Sequence, residues 1–174
     1  KNNYYLVVGR LIPDNNSRLI LDGFLKSKSK KKLVIVGDVP YSDKYADEIK
    51  KYQSKKIIFT GYINNQNQLS SIYKNCYAYL HGHEFGGTNP TMINALCLNS
   101  QIIALDTPFN NEMLENRVKL LFKKNTNSVK DCINNFEENY LKIKKLNIEY
   151  KLPIKYTWNE ISKQYTNLFY SLIN

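Results

Sequence analysis

The stretch HGHEFGGTNPTMINAL, residues 81–96 of a 174-residue chain, gathers two histidines, a carboxylate and two adjacent glycines ahead of a helical pattern. His81 and His83 alternate along an extended segment and so share one side. With Glu84 they make a zinc site conceivable, but no second cluster supplies further ligands, so no metal is expected. Neither a Ser-His-Asp nor a Cys-His arrangement is visible, which leaves a poor inventory for a base relay. The glycines suggest something else. Gly86-Gly87 lets backbone approach a ligand without a Cβ in the way, Asn89 suits a helix N-cap, and Pro90 suits the first turn. Free N–H groups at such a helix start, together with its dipole, make a seat for an anion. Arg10, in the run GRLIP, could bring a guanidinium to the same anion in fork geometry. The glycine pattern of dinucleotide sites is absent there and so is a P-loop, so no nicotinamide cofactor is expected.

These residues need elements to hold them. Near-continuous apolar runs at 4–8, 33–36, 57–60, 77–80 and 102–105 read as strands buried on both faces. Between them lie segments of helical spacing. One is capped by Ser17, with Leu19, Ile20, Phe24 and Leu25 inward, and one starts at Asp43, with Tyr45, Ile49 and Tyr52 inward. Two more carry Leu69, Ile72 and Tyr73, then Met92, Ile93, Ala95 and Leu96. The alternation predicts an α/β fold: a Rossmann-like parallel sheet with right-handed crossovers and helices on both faces. A short strand within 116–122 brings it to about six strands. Residues 128–146 read as one helix or two, and Pro153 breaks the chain. A final amphipathic helix, about 157–173, opens on a Thr157–Glu160 capping box, and its stripe of Trp158, Ile161, Tyr165, Leu168 and Leu172 reads mainly as core. Without a repeat or a low-complexity linker, residues 1–174 read as one domain, and the abrupt start on a strand suggests a piece of a longer chain. In such a sheet ligands bind beyond the carboxyl ends of the strands, where Gly9-Arg10, Gly61-Tyr62 and the 81–90 stretch fall.

Composition narrows the classes. No window is long enough for a transmembrane helix and no signal-peptide pattern opens the chain. Three scattered cysteines, Cys76, Cys97 and Cys132, suggest neither a disulfide framework nor a metal site, which points to a cytoplasmic setting. The formal charge of +10 reads either as a Lys- and Asn-rich composition or as attraction to anions, with lysines crowding 26–32, 50–56 and 142–151. No RNA-binding aromatic signature or recognition-helix pattern accompanies it, so nucleic acid is not an expected partner.

Taken in order, VVGRL, KKLVIVGD, IIFTGYI, HGHEFGGTNPTMINAL, ALDTPFNNEML and YTWNEISKQY resemble the C-terminal domain of GT-B glycosyltransferases, family 4. The run GGTNP is most similar to the bacterial polysaccharide branch containing rhamnosyltransferases. The resemblance implies a nucleotide-sugar site (dTDP-, UDP- or GDP-linked) facing a separate N-terminal acceptor domain, with retaining transfer and no bound metal or other cofactor. By that resemblance Arg10 contacts the diphosphate and, with Glu84 at the donor sugar, is the candidate catalytic pair. Gly9, Asn15, Gly61, Tyr62, Ile63, His83, Gly86, Gly87, Thr88, Asn89, Asn94 and Glu112 are the candidate donor-binding residues. Glu112 reads alternatively as a first-turn acid complementing a helix dipole. Arg117 reads either as a second phosphate cation or as a solvated charge. The last helix of such enzymes commonly packs back across the domain boundary.

Two positions depart from the family pattern. A lysine usually follows the arginine by five positions, but Asn15 stands there. A ribose-binding glutamate usually sits inside the helix after the glycines, where this chain has Asn94. Exchanging a charge-assisted hydrogen bond for a neutral one weakens a donor site by about 1 kcal/mol. The resemblance therefore leaves three readings: the donor half of a transferase, a degenerate non-catalytic binding module, or an epimerase of the same fold whose acid and base lie elsewhere. A lipid-linked acceptor and a basic surface together suggest peripheral attachment to the inner face of an anionic membrane.

Overall fold

The computed structural model describes residues 3–115, 117–147 and 153–173. Asn116, where the sixth-strand segment begins, and Lys151, at the end of the third lysine cluster, lie outside the described residues. Six strands form one sheet: β1 (Tyr4–Val8), β2 (Lys32–Val36), β3 (Ile57–Gly61), β4 (Ala78–His81), β5 (Ile102–Leu105) and β6 (Leu121–Phe122). Their order is β3-β2-β1-β4-β5-β6 and every pairing is parallel. The chain therefore runs outward from β1, returns to the centre and runs outward again, so the strand order reverses between β1 and β4. The α/β Rossmann-like sheet expected from the apolar runs is present, with six strands.

The pleat sorts the core. Tyr5, Val7, Leu33, Ile35, Ala78 and Leu80 face α1 (Ser17–Lys26), α2 (Lys44–Lys50), α6 (Thr126–Glu138) and α7 (Tyr140–Leu146). Leu6, Tyr79, Ile102 and Ala104 face α3 (Gln66–Asn75), α4 (Pro90–Cys97) and α5 (Pro108–Met113). Full burial of side chains such as Phe24 and Phe136 contributes about 1.5–3 kcal/mol each. Segment 128–146 forms parts of two helices, α6 and α7, which meet at Asn139.

Side-chain caps set most of the helix starts. Asp43, Asn65, Asn89, Thr107 and Asn125 each accept a hydrogen bond from an N–H of the first turn. The start of α1 differs from expectation. Its cap is Asn16, held left-handed at φ 52° after a 3-10 turn at Pro13–Asn15, and Ser17 is already inside the helix. Asn16 uses its side chain for a tertiary bond instead, its Nδ2 donating to the carbonyl of Gly82 at 2.9 Å. The last helix, α8 (Trp158–Ile173), corrects the sequence reading more strongly. None of its residues is buried, and Trp158 and Phe169 are 81% and 58% exposed. Periodicity reported an apolar face but not what covers it.

Candidate functional site

The strand ends β1, β2 and β4 and the starts of α1, α3 and α4 enclose a cavity of about 570 Å³. It lies at the reversal of strand order, beyond the carboxyl ends of the strands, and its size suits a small-molecule ligand. Its wall brings together Gly9, Arg10 and Asn15 from the first loop, Tyr62 and Ile63 from the third, and His83, Gly86, Gly87, Thr88 and Asn89 from the fourth. Residues that sequence reasoning did not assign to a site join them: Ser17, Gln66, Tyr79, His81, Gly82 and Thr91. Gly61, Glu84, Asn94 and Glu112 are not part of the wall.

Backbone geometry explains how the first and fourth loops meet. A Cβ on Gly82 would stand 2.5 Å from the carbonyl oxygen of Asn15, so only glycine lets the loops approach this closely. The same juncture carries the Asn16–Gly82 bond and a hydrogen bond from the N–H of Glu84 to the carbonyl of Asp14 at 3.0 Å. Gly86, at φ +98°, then makes the turn that leads the chain to Asn89 and the start of α4.

The wall's polar groups favour an anion. Arg10 is exposed, and among the described residues its guanidinium has no ion-pair or hydrogen-bond partner. Three helices, α1, α3 and α4, begin at the cavity, at Ser17, Gln66 and Pro90. Their dipole ends, with the first-turn N–H groups that the caps leave unpaired, add partial positive charge. Among the described residues no Asp or Glu belongs to the wall. Asn15 is turned inward: Nδ2 donates to the carbonyl of Arg10 at 2.7 Å, and Oδ1 accepts from Nδ1 of His83 at 2.5 Å. Because the amide's nitrogen is fixed on a carbonyl, its oxygen is the acceptor, which places the His83 proton on Nδ1. Burial, and then the Arg10 charge, lower the His83 pKa below its ordinary value against a raising contact from the Phe85 backbone.

His81 is held differently. It is 2% exposed, its Nδ1 lies 2.8 Å from the hydroxyl of Tyr79, and its ring centroid stands 6.0 Å from that of His83. Burial, followed by the neighbouring His83, pushes its pKa down to about 3. Its Nε2 and the Ser17 hydroxyl are buried atoms of wall residues without a hydrogen-bond partner among the described residues.

The carboxylates named from the sequence are engaged elsewhere. Glu84 receives Lys124 Nζ on both oxygens, at 2.8 and 2.6 Å, and that contact holds its pKa below the ordinary value. Glu112 on α5 receives Lys155 at 3.1 Å, a lysine shared with Glu115. Asn94 lies on the exposed side of α4. Arg117 is neither of the alternatives raised for it: it is 8% exposed, and its Nη2 donates to the carbonyl of Ser100 at 2.8 Å, before β5 and so at the opposite end of the sheet. Among the described residues no group of three or more His, Cys, Asp or Glu could hold a metal ion, and no helix is long and apolar enough to cross a membrane.

A six-stranded parallel sheet of this order, with a cavity at its reversal point, defines a Rossmann-like ligand-binding unit. More narrowly, the chain belongs to the glycosyl transferases group 1 family, whose pattern it matches over residues 1–151. It is similar in fold to HepE of Anabaena, solved in complex with UDP (TM-score 0.79, 15% identity, covering 98% of this chain and 49% of that one). It is likewise similar to TarM of S. aureus, solved with UDP among its ligands (TM-score 0.78, 19% identity, 97% and 35%). A third likeness is to the catalytic domain of the cholesterol-alpha-glucosyltransferase from Helicobacter pylori (TM-score 0.69, 23% identity, 86% and 95%). No curated protein matches the chain in sequence. The chain spans 41% to 49% of the length of the HepE chains it matches.

Proposed function

We propose that this chain is the donor-binding half of a glycosyltransferase. It would hold a nucleotide-sugar while an N-terminal domain of the same protein presents the acceptor. The observation that carries the reading is the cavity wall, which among the described residues offers one unpaired arginine, three helix starts and no carboxylate, all at the switch point of the sheet. Such a wall takes a diphosphate. Membership of the glycosyl transferases group 1 family, and the UDP complexes of HepE and TarM, support a nucleotide as its carrier. Arg10 and the helix N–H groups neutralise the departing diphosphate, so transfer is driven by positioning and leaving-group stabilisation. Gly61, Tyr62 and Ile63 meet the nucleobase, while Gly9, His83 and the segment Gly86–Asn89 bracket the diphosphate and sugar. Glu84 and Glu112 serve only after exchanging their lysine partners. GGTNP favours a hexosyl, specifically rhamnosyl, transfer to a lipid-linked oligosaccharide of a surface polysaccharide, in the cytoplasm at the membrane's inner face. A thermal-shift panel of UDP, GDP, dTDP and their sugars tests the reading. A midpoint rise with at least one nucleotide is expected, and no rise with any at millimolar concentration would sink it.

The alternative is a non-catalytic module of the same fold, favoured by one observation: Asn15 uses both polar ends of its side chain internally and offers no cation to a phosphate. In the complete two-domain protein, Asn94→Glu separates the readings. If the wild type transfers nothing and the variant does, the non-catalytic reading stands.

A further inference from the structure

The cap of α4 fixes the proton of a histidine three links away. The Asn89 Oδ1 accepts from the Thr91 N–H at 2.9 Å and from the Thr91 hydroxyl at 2.7 Å. The backbone contact identifies that amide atom as the oxygen, which can only accept. The Thr91 hydroxyl proton is therefore committed to Asn89, so Thr91 Oγ1 must accept from the Tyr79 hydroxyl, 2.8 Å away. The Tyr79 proton is committed in turn, and Tyr79 must accept from His81 Nδ1–H at 2.8 Å. His81 is thus the Nδ1–H tautomer, and Nε2 carries a lone pair. That atom is buried and unpartnered among the described residues, on a residue of the cavity wall. The ring stays uncharged at neutral pH, since burial lowers its pKa to about 3. A neutral acceptor is repelled by phosphate oxygens and satisfied by an O–H donor.

We infer that His81 Nε2 accepts a hydrogen bond from a ligand hydroxyl, of the ribose or of the transferred sugar, and so selects a hydroxyl-bearing group beside the Arg10 anion seat. This rests on the nucleotide-sugar reading above. The hydroxyl of Ser17, the other buried wall atom without a partner among the described residues, can turn to donate or accept, so of the two His81 alone imposes a direction. In setting the His81 tautomer, Asn89 and Thr91 are positioning residues, whatever contacts they make as members of the wall.

The test uses the nucleoside diphosphate that binds best among UDP, GDP and dTDP, its glucose conjugate, and inorganic pyrophosphate, which has no alcohol hydroxyl. Long-range ¹H–¹⁵N spectra of the labelled chain are expected to show His81 protonated on Nδ1 before ligand is added. On saturation the Nε2 resonance moves as its lone pair is engaged. In His81→Phe, affinity for the hydroxyl-bearing ligand falls about three- to tenfold, while affinity for pyrophosphate holds. A loss already present with the diphosphate assigns the ribose, and one seen only with the conjugate assigns the sugar. Thr91→Val, which frees the Tyr79 proton, is expected to shift His81 toward the Nε2–H tautomer and to reproduce the loss. If nucleotide binds but Nε2 does not move and His81→Phe loses nothing, the inference is overturned and the nucleotide reading survives. If no nucleotide binds, the reading itself fails and the inference falls with it.

Discussion

The cavity end of the sheet and the final helix contain comparable numbers of aromatic and apolar side chains but treat them in opposite ways. At the cavity, Tyr79 is fully buried, and its hydroxyl, with those of Tyr73 and Thr91, is bound within the protein. Along α8, Trp158, Tyr165, Leu168, Phe169, Leu172 and Ile173 are all exposed. In the first region the buried aromatic hydroxyls are tied to neighbours, and His81 Nε2, the Ser17 hydroxyl and the Arg10 guanidinium are left open among the described residues. The second presents a surface that the described residues do not cover. The contrast teaches that an apolar stripe marks a face that avoids water, whereas a closed set of hydrogen bonds marks a place whose geometry is fixed.

Substitution of the same residue type in the closed core and on α8 gives the largest expected difference. Phe24→Ala, in the core between α1 and the sheet, should lower stability by about 3–5 kcal/mol, whereas Phe169→Ala on α8 should change it by less than about 0.5 kcal/mol. Chemical denaturation of both variants checks this, and equal losses would mean that α8 is packed in solution. Next is the juncture of the first and fourth loops. Gly82→Ala places a Cβ 2.5 Å from the Asn15 carbonyl, with an expected loss of about 1–3 kcal/mol and weaker nucleotide binding. A neutral outcome would show that the loops are free to part.

Acid probes the buried histidine. A base whose pKa is depressed by folding refuses a proton that the unfolded chain accepts. Its stabilising contribution is therefore present above the unfolded value, 6.5, and is lost as pH falls toward the folded one, about 3 for His81. Denaturation midpoints should decline between about pH 7 and about pH 4, and less steeply in His81→Phe. An identical slope in the variant would place the titration elsewhere. The smallest effect is expected at Glu84. Because Lys124 already engages it, Glu84→Gln should change nucleotide affinity by less than about threefold in calorimetry. A larger loss would bring this carboxylate into the site.

Much of this was legible in the sequence. Strands buried on both faces appear as unbroken apolar runs, and their alternation with helical spacing dictates a parallel sheet and puts the loops on one edge. Asn89-Pro90 announced the start of α4, and the glycines before it the close approach of backbone. Partners brought together by folding were not legible. Asn15 and His83 are 68 positions apart, and nothing in either neighbourhood says that the amide is turned onto the imidazole. Ser17 has the residue type of a cap, yet the left-handed Asn16 before it takes that place. Tyr79 and His81 share a face by the strand's period of two, but the direction of their hydrogen bond depends on an N-cap at Asn89. Glu84 and Glu112 carry the right chemistry, and lysines from distant segments hold both.

The proposed function makes the cavity a diphosphate seat whose cation is Arg10. Isothermal titration of the chain and of its Arg10→Ala variant with UDP, GDP and dTDP tests it most directly. Measurable binding of at least one nucleotide by the wild type is expected, with a loss of about 10- to 100-fold in the variant and folding stability unchanged. Equal affinity in the two proteins, or no binding of any nucleotide up to millimolar concentration, would contradict it.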